Sequence, residues 1–426
     1  MKKITAIVVG YGHRGNVYAR YALENPEELQ IVAVAEVSEG KRATAQRLFD
    51  LSDECVFADW CMLKAMPCLA DMAIVTLQDG LHYEAALTLI EKGYHLLLEK
   101  PMAVTPAQCK AITEAAEKRG VKVVVCHVLR FTDFWRGIKQ VLDDGKLGEP
   151  LSIIHMENVG NIHHSHSYVR GNWRNSKEAT PMILAKSCHD MDILQWLLGK
   201  ECTRVQSFGA LTHFTAKNRP AGAPDRCLDG CPMEETCLYH AKRVYMENLE
   251  DSFIQALRRI IVNTAESPDD EAVMDALQNG PYGRCVYACD NDVVDHQVVN
   301  LEFEGGCTVS FTMNAFNEGG RFIRIFGTKG ELLGDMGECT LKLYSFADQS
   351  WTTIDLKKIG QGIESGHGGG DTGIMQDVLC LLRGEAHSDS ICQVRTSYQN
   401  HLIAFAAEQS RLDGTVIRMQ DYEKTL

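Results

Sequence analysis

The chain has 426 residues, 45% of them apolar and 23% charged, which is the composition of a soluble globular protein with core enough for roughly two to three domains. Its 43 Lys and Arg stand against 57 Asp and Glu, a formal charge of −14 with no basic run, which excludes nucleic acid as a partner. No apolar stretch approaches the ~18 residues of a membrane span, no apolar leader follows Met1-Lys2-Lys3, and most of the 16 cysteines are then expected to be reduced thiols in a cytoplasmic protein.

The first 128 residues alternate two signals. Ile4 to Val9, Ile31 to Ala35, Met72 to Val75, Leu96 to Leu98 and Val121 to Val125 are continuous apolar runs, as in strands buried on both faces. Between them lie amphipathic segments such as His82 to Lys92 and Pro106 to Lys118, so a doubly wound parallel sheet is expected. The first strand leads into Gly10-Tyr11-Gly12-His13-Arg14-Gly15 and the helical Asn16 to Leu23. Glu36 answers from the end of the second strand, 21 residues beyond Gly15. In that context the glycines have assigned work: a tight turn, close approach of backbone to a pyrophosphate, and helix packing on the strand. An acid at position 36 accepts hydrogen bonds from ribose hydroxyls and repels a 2′-phosphate, so NAD is favoured over NADP, with Arg14 weakening that preference.

After Arg130 the periodicity changes. Val299, Leu301 and Phe303 alternate with polar residues, as do Val309, Phe311 and Met313, and Glu304-Gly305-Gly306 joins the two as a hairpin. Strands are expected again at Arg321 to Phe326, Glu331 to Leu333, Leu341 to Tyr344 and Trp351 to Leu356, then helices at Gly373 to Leu382 and Val394 to Arg411. Such a half is a largely antiparallel sheet with one solvated or partner-covered face. Residues from about 214 to 290 fit neither scheme and read as an insertion without clear apolar periodicity, helical around His240 to Ile261. Cys227, Cys231 and Cys237 fall there within eleven residues, where an even spread would place about 0.4. A structural metal (zinc first, an iron–sulfur cluster second), unligated thiols and a disulfide are the three readings, with His240, Cys202, Cys285 and Cys289 as fourth-ligand candidates.

Glu99-Lys100-Pro101 ends the fourth apolar strand. Together with the glycine fingerprint, Thr76-Leu77-Gln78, His82, and Cys188-His189-Asp190-Met191-Asp192 opening a later helix, it resembles the glucose-fructose oxidoreductase/inositol dehydrogenase/rhizopine catabolism (Gfo/Idh/MocA) family over nearly the whole chain. The resemblance implies an α/β fold: an N-terminal Rossmann domain at 1–128 with a doubly wound parallel sheet, then a C-terminal α+β domain at 129–426 with a large mainly antiparallel sheet. It also implies pairing of subunits through that sheet, as a homodimer or homotetramer. Cofactor contacts are expected from Gly10, Tyr11, Gly12, His13, Arg14, Gly15, Glu36, Thr76, Gln78, His82, Glu99, Lys100 and His127. Lys100 should lie by the nicotinamide and the reacting hydroxyl, Pro101 in a cis bond, with His189 as acid/base. Oxidising a secondary alcohol needs such a base and such a cation. Many family members carry Asp four residues before this histidine; here Ala185 stands there. Lys186, Ser187 and Asp190 are the nearby replacements, Lys186 as a second base or an anchor.

The stretch from His163 to Arg174 reads as a polar loop with an aromatic platform, suited to a sugar. His166, Arg170, Asn172, Trp173 and Arg174, with Asp190 and His367, are the substrate candidates. The leading expectation is therefore an NAD-dependent oxidoreductase acting on a ring hydroxyl of a sugar, cyclitol or glycoside. Its rival is a redox-neutral, NAD-dependent glycosidase that oxidises, eliminates, adds water and re-reduces. A non-catalytic NAD-dependent regulator ranks last, because it needs neither Lys100 nor His189.

Overall fold

Short runs of Val, Ile, Leu and Ala that bury both faces can only form a sheet covered by helices on each side. In the computed structural model, which describes residues 2–264, 266–356 and 369–426, they are β1 (Ile4–Val9), β2 (Leu29–Ala35), β3 (Val56–Phe57), β4 (Met72–Val75), β5 (His95–Leu98) and β6 (Val123–Val125). Their parallel order is β3-β2-β1-β4-β5-β6, so the winding reverses between β1 and β4, where a crevice opens at the strand C-termini. Helices α1 (His13–Glu24), α2 (His82–Lys92), α3 (Pro106–Arg119), α5 (Gly370–Arg383) and α6 (Val394–Asp413) flank this sheet, while α4 (Cys188–Leu198) packs on the second half of the chain. Local chemistry sets α3's bounds. Thr105 accepts the Gln108 N–H, Pro106 occupies the first turn, and Gly120 ends the helix at a φ of +71°.

The chain's end returns to this first sheet. Ile374, Met375, Val378 and Leu379 of α5 pack with Val8, Val34 and Leu97, while Val394, Tyr398 and Leu402 of α6 pack with Leu96, Val123 and Val125 on the opposite face. Val125 N donates to Cys392 O at 3.0 Å beside a bridge between Val124 and Gln393. The parallel sheet therefore has helical cover from residues far beyond 128.

The second sheet comprises β7 (Pro150–Asn158), β8 (Cys202–Ala210), β9 (His296–Phe303), β10 (Thr308–Asn314), β11 (Gly320–Gly327), β12 (Gly330–Asp335), β13 (Thr340–Ser345), β14 (Ser350–Asp355) and β15 (Ile417–Arg418). Its order is β14-β13-β12-β11-β7-β10-β9-β8-β15, antiparallel except where β7 meets β10. The alternating Val299, Leu301, Phe303, Val309, Phe311 and Met313 face inward, onto Met191, Ile193 and Leu194 of α4 and the helix Asp133–Asp143. Ile154, Met156 and Phe208 stand exposed on the other face.

Between β8 and β9 the insertion folds as helices Ala241–Met246, Ser252–Val262 and Asp270–Asn279, with a core of its own built from Val244, Tyr245, Leu257, Val273 and Leu277. This corrects the expectation of a segment poor in apolar order. The helix expected to run continuously to Ile261 breaks because Asn248 adopts a φ of +53° and the Asp251 side chain accepts the Phe253 N–H, starting a new helix. No disulfide joins any of the 16 cysteines. Among the described residues, no helix is long and apolar enough to cross a membrane.

Candidate active site

β1 runs into Gly10, where a φ of +91° and a Cβ only 2.7 Å from the Thr76 carbonyl oxygen would bar a side chain. A Cβ on Gly15, in the first turn of α1, would stand 2.1 Å from the Gly10 carbonyl oxygen. Gly12 differs: a Cβ there would meet no atom within 4 Å, because it points into open space at the α1 N-terminus. Backbone N–H groups and the helix dipole favour a phosphate there, so these residues fit a dinucleotide. Glu36 accepts Tyr11 N at 2.7 Å and Ser38 N at 2.8 Å, which fixes the carboxylate and leaves lone pairs on both oxygens for ribose hydroxyls. Gln78 and His13 are exposed at the mouth. Arg14 turns inward, away from Glu36: its Nε donates to Glu99 Oε1 at 2.8 Å and its guanidinium pairs with Asp371.

Glu99 also accepts Tyr18 OH and Lys100 N, each at 2.9 Å. Burial pushes its carboxyl up, but Arg14, Lys100 and these hydrogen bonds outweigh burial and hold it below the ordinary range. The following Lys100–Pro101 bond is cis. His82 braces that turn, its Nδ1 2.8 Å from Pro101 O and its Nε2 3.0 Å from Leu77 O. Lys100 is thereby aimed across the crevice, and its Nζ donates to Ala185 O at 2.9 Å.

That contact joins the strand-end motif to the segment leading into α4. Lys186 follows Ala185, with its Nζ 3.2 Å from Glu157 Oε1. Burial lowers its ammonium pKa; Arg321 and Lys100 push the same way, against Glu157. His189 sits in the first turn of α4, buried, with its ring 5.8 Å from and edge-on to that of His127. His127, just past β6, places Nε2 3.1 Å from Ser397 Oγ, and burial holds it down to about 4, neutral at pH 7. Asp190 accepts His155 Nε2 at 2.8 Å and Arg321 Nε at 2.9 Å. Burial opposes its ionisation, yet Arg321 and His155 hold it at about 2, a fixed anion tied to the sheet below.

Trp173 reaches the crevice through Asp79, whose Oδ2 accepts Trp173 Nε1 at 3.0 Å and Thr180 Oγ1 at 3.4 Å. Burial raises the Asp79 carboxyl against the pull of His82 and Lys100. Sequence reasoning missed Asp79, although an acid directly after a strand-ending Thr-Leu-Gln was the available signal. It also missed Glu157 and Arg321, which β7 and β11 send upward from the inner face of the second sheet.

The stretch from His163 to Arg174 is not a loop. Asn161–His164 is helical and Ser165–Arg170 continues as a buried π-helix. His166 stacks on Tyr282 with centroids 4.6 Å apart and faces Tyr245 OH at 3.0 Å. Arg170 Nε donates to Arg284 O at 2.7 Å, and Arg174 Nε to Asp290 at 2.9 Å. These three substrate candidates pack against the insertion, whereas His163 feels the charges of Lys186 and Lys100. Asn172 is exposed beside Trp173. His367 lies outside the described residues.

Among the described residues, the His/Cys/Asp/Glu trio with ligand atoms all within 4.8 Å is His127, Asp192 and Cys392. Arg130 already grips both Asp192 oxygens at 2.7 Å, so a guanidinium neutralises the carboxylate a cation would need. Cys227, Cys231 and Cys237 do not make such a trio, although the 4.8 Å limit is wider than the sulfur spacing of about 3.8 Å set by tetrahedral Zn–S bonds of about 2.3 Å.

Residues 4–127 match the model of an oxidoreductase family with an NAD-binding Rossmann fold, and residues 139–419 match that family's C-terminal alpha/beta domain. YteT of Bacillus subtilis is 26% identical over 324 residues, 72% of each chain. An inositol 2-dehydrogenase of Pseudomonas savastanoi pv. phaseolicola is 29% identical over 200 residues, 47% of this chain and 56% of its own. The solved structure of a levoglucosan dehydrogenase with NADH and L-sorbose superposes with a TM-score of 0.71 at 18% identity, over 98% of this chain and 99% of the other, which is a likeness of fold.

Proposed function

The chain belongs to the Gfo/Idh/MocA oxidoreductase family, and from that premise we propose that it oxidises a ring secondary alcohol of a sugar, cyclitol or glycoside with NAD. The observation that carries this reading is the 2.9 Å contact from Lys100 Nζ to Ala185 O, which brings a strand-end lysine and the His189-bearing segment into one crevice. When bound, NAD supplies the two-electron acceptor. Lys100 sets a cation against the alcohol oxygen and stabilises it as the proton leaves. His189 takes that proton, and Lys186, whose pKa is lowered, exchanges protons beside it. Asp79 orients the Trp173 indole as a stacking face for a sugar ring. Glu36 favours NAD over NADP, since Arg14 is held by Glu99 and Asp371 and does not compensate a 2′-phosphate. Subunits pair through the exposed face of the second sheet.

Incubating the protein with NAD and a panel of cyclitols, hexoses and anhydrosugars, inositol and levoglucosan included, should yield NADH in proportion to substrate oxidised. Lys100→Ala should lower the rate by a factor of ~10³, about 4 kcal/mol in the barrier; full turnover in that variant would overturn the site. A second reading, redox-neutral glycoside cleavage, is favoured by Lys186, because elimination needs an additional proton-abstracting group and this half-buried lysine is easier to deprotonate than an ordinary one. Aryl glycosides in the same panel separate the two: aglycone release with no lasting NADH supports cleavage.

A further inference from the structure

A buried guanidinium needs an anion. Arg170 is 0% exposed, and its partners are all uncharged: Arg284 O at 2.7 Å, Tyr239 O at 2.6 Å and the Cys227 thiol at 3.6 Å. Its remaining nitrogen, Nη1, makes no hydrogen bond of good geometry, the neighbouring Tyr245 hydroxyl offers it only a neutral phenol, and among the described residues no carboxylate pairs with it. Leaving such a charge uncompensated in the interior costs several kcal/mol. The groups at hand that can become anionic are the Tyr245 phenol, which burial holds protonated, and the thiols of Cys227 and Cys289. His240 adds a second orphan at the same place: Nε2 lies 2.9 Å from Cys227 O, and Nδ1 is buried without a partner.

The fold gathers thiols around this cation from distant parts of the insertion. Cys227 N donates to Gly283 O and Cys285 N to Asp225 O, each at 2.8 Å, on either side of a bridge between Arg226 and Arg284. That pairing sets Cys227 opposite Gly283 and Cys285 opposite Asp225, so the two cysteines stand diagonally on one face of the ribbon. The turn that follows brings back Cys231 and Cys237, and Cys237 lies near enough to feel both Cys227 and Cys231. Cys289 is nearby, but its Sγ donates to Cys285 O at 3.3 Å and so turns into its own turn. Cys227 and Cys285 are buried, and Cys231 and Cys237 half-buried, so the group closes inward and opens on one side.

We propose that Cys227, Cys231, Cys237 and Cys285 ligate an iron–sulfur cluster, with Arg170 compensating its negative charge. Four thiolates on either a zinc ion or a cluster carry net negative charge, so charge alone does not choose between them. Spacing does. A single tetrahedral ion would draw the sulfurs to about 3.8 Å from one another, whereas no three of these lie within even 4.8 Å. A four-iron, four-sulfide cluster binds each thiolate to a different iron and spreads the sulfurs wider. Free thiols would leave Arg170 without an anion, and no disulfide is present. The cluster would tie the π-helix that ends at Arg170, and through it Trp173, to the insertion.

The full-length chain, purified anaerobically and reconstituted with ferrous iron and sulfide, tests this. Iron and acid-labile sulfide should appear in equal amounts, about four of each per chain, with visible charge-transfer absorption that bleaches on dithionite. Cys231→Ser and Cys285→Ser should lose most of that iron, while Cys289→Ser and Cys61→Ser keep it. A wild-type chain that takes up no iron and sulfide, one that holds a single zinc ion instead, or a Cys231→Ser variant with full iron each overturns the proposal. The wild-type stoichiometry decides the matter even if a variant fails to fold.

Discussion

A buried imidazole that accepts a hydrogen bond has only one tolerable protonation state. His401 Nε2 accepts Met102 N at 3.0 Å, and its Nδ1 lies 2.7 Å from Ser397 O, so the ring is neutral with its proton on Nδ1. Burial, reinforced by the neighbouring His127, lowers it to about 3, and burial lowers His127 itself to about 4, both from an ordinary value of 6.5. Below pH 6.5 the unfolded chain therefore takes up protons that the folded chain refuses. Stability is full above that pH and falls as pH drops from 6.5 toward 4. Melting temperature should be level above pH 7 and decline steadily through that window. His401→Gln, which can still accept from Met102 and donate to Ser397, should flatten part of the decline. A melting temperature unchanged between pH 6.5 and 4.5 would contradict the neutral-histidine account.

At the scale of elements, the turn between β1 and α1 separates folding from cofactor binding at two glycines three residues apart. Gly15→Ala drives a methyl into the Gly10 carbonyl oxygen at 2.1 Å and the Thr76 hydroxyl at 2.8 Å, so strand and helix must part. A loss of about 2–4 kcal/mol in chemical denaturation is expected. Gly12→Ala adds a methyl at an ordinary φ of −72° with no atom within 4 Å. Its stability should match the parent, while the Kd for NAD rises at least about tenfold, because the methyl stands where backbone must approach pyrophosphate. Equal NAD affinity in Gly12→Ala would remove the phosphate from this turn. This element was legible because strand, glycine spacing and Glu36 lie within 36 residues and each carries its own constraint. The stretch from His163 to Arg174 was not. Its π-helix has no periodic apolar face, and what orders it, Tyr245, Tyr282 and Arg284, lies 75 or more residues away in the chain. The same distance hid Glu157 and Arg321, whose tie to Asp190 of α4 exists only once the sheet sets β7 beside β11.

For the whole molecule, the open question posed by the alternating strands is what covers the outer face of the second sheet. Register across five strands lines up Phe208, Val298, Thr312, Met156 and Phe322 in one transverse row. Ile154 stands in the next row, and Phe208, Ile154 and Met156 are 58%, 46% and 37% exposed. An apolar band interrupted only by Thr312 is a surface that water disfavours and a second copy of the same sheet can cover by two-fold pairing. Sequence alternation revealed that such a face exists, but the apolar row emerges only when β8, β9, β10, β7 and β11 are set side by side. The protein should therefore be a dimer or tetramer by light scattering at micromolar concentration. Ile154→Glu with Met156→Glu should convert it to monomers with little change in far-UV circular dichroism, since both side chains point away from the core. Wild-type monomers, or oligomers that survive both charges, would mean that the band is not where subunits meet, and the −14 charge of each chain would then have to keep this face soluble unaided.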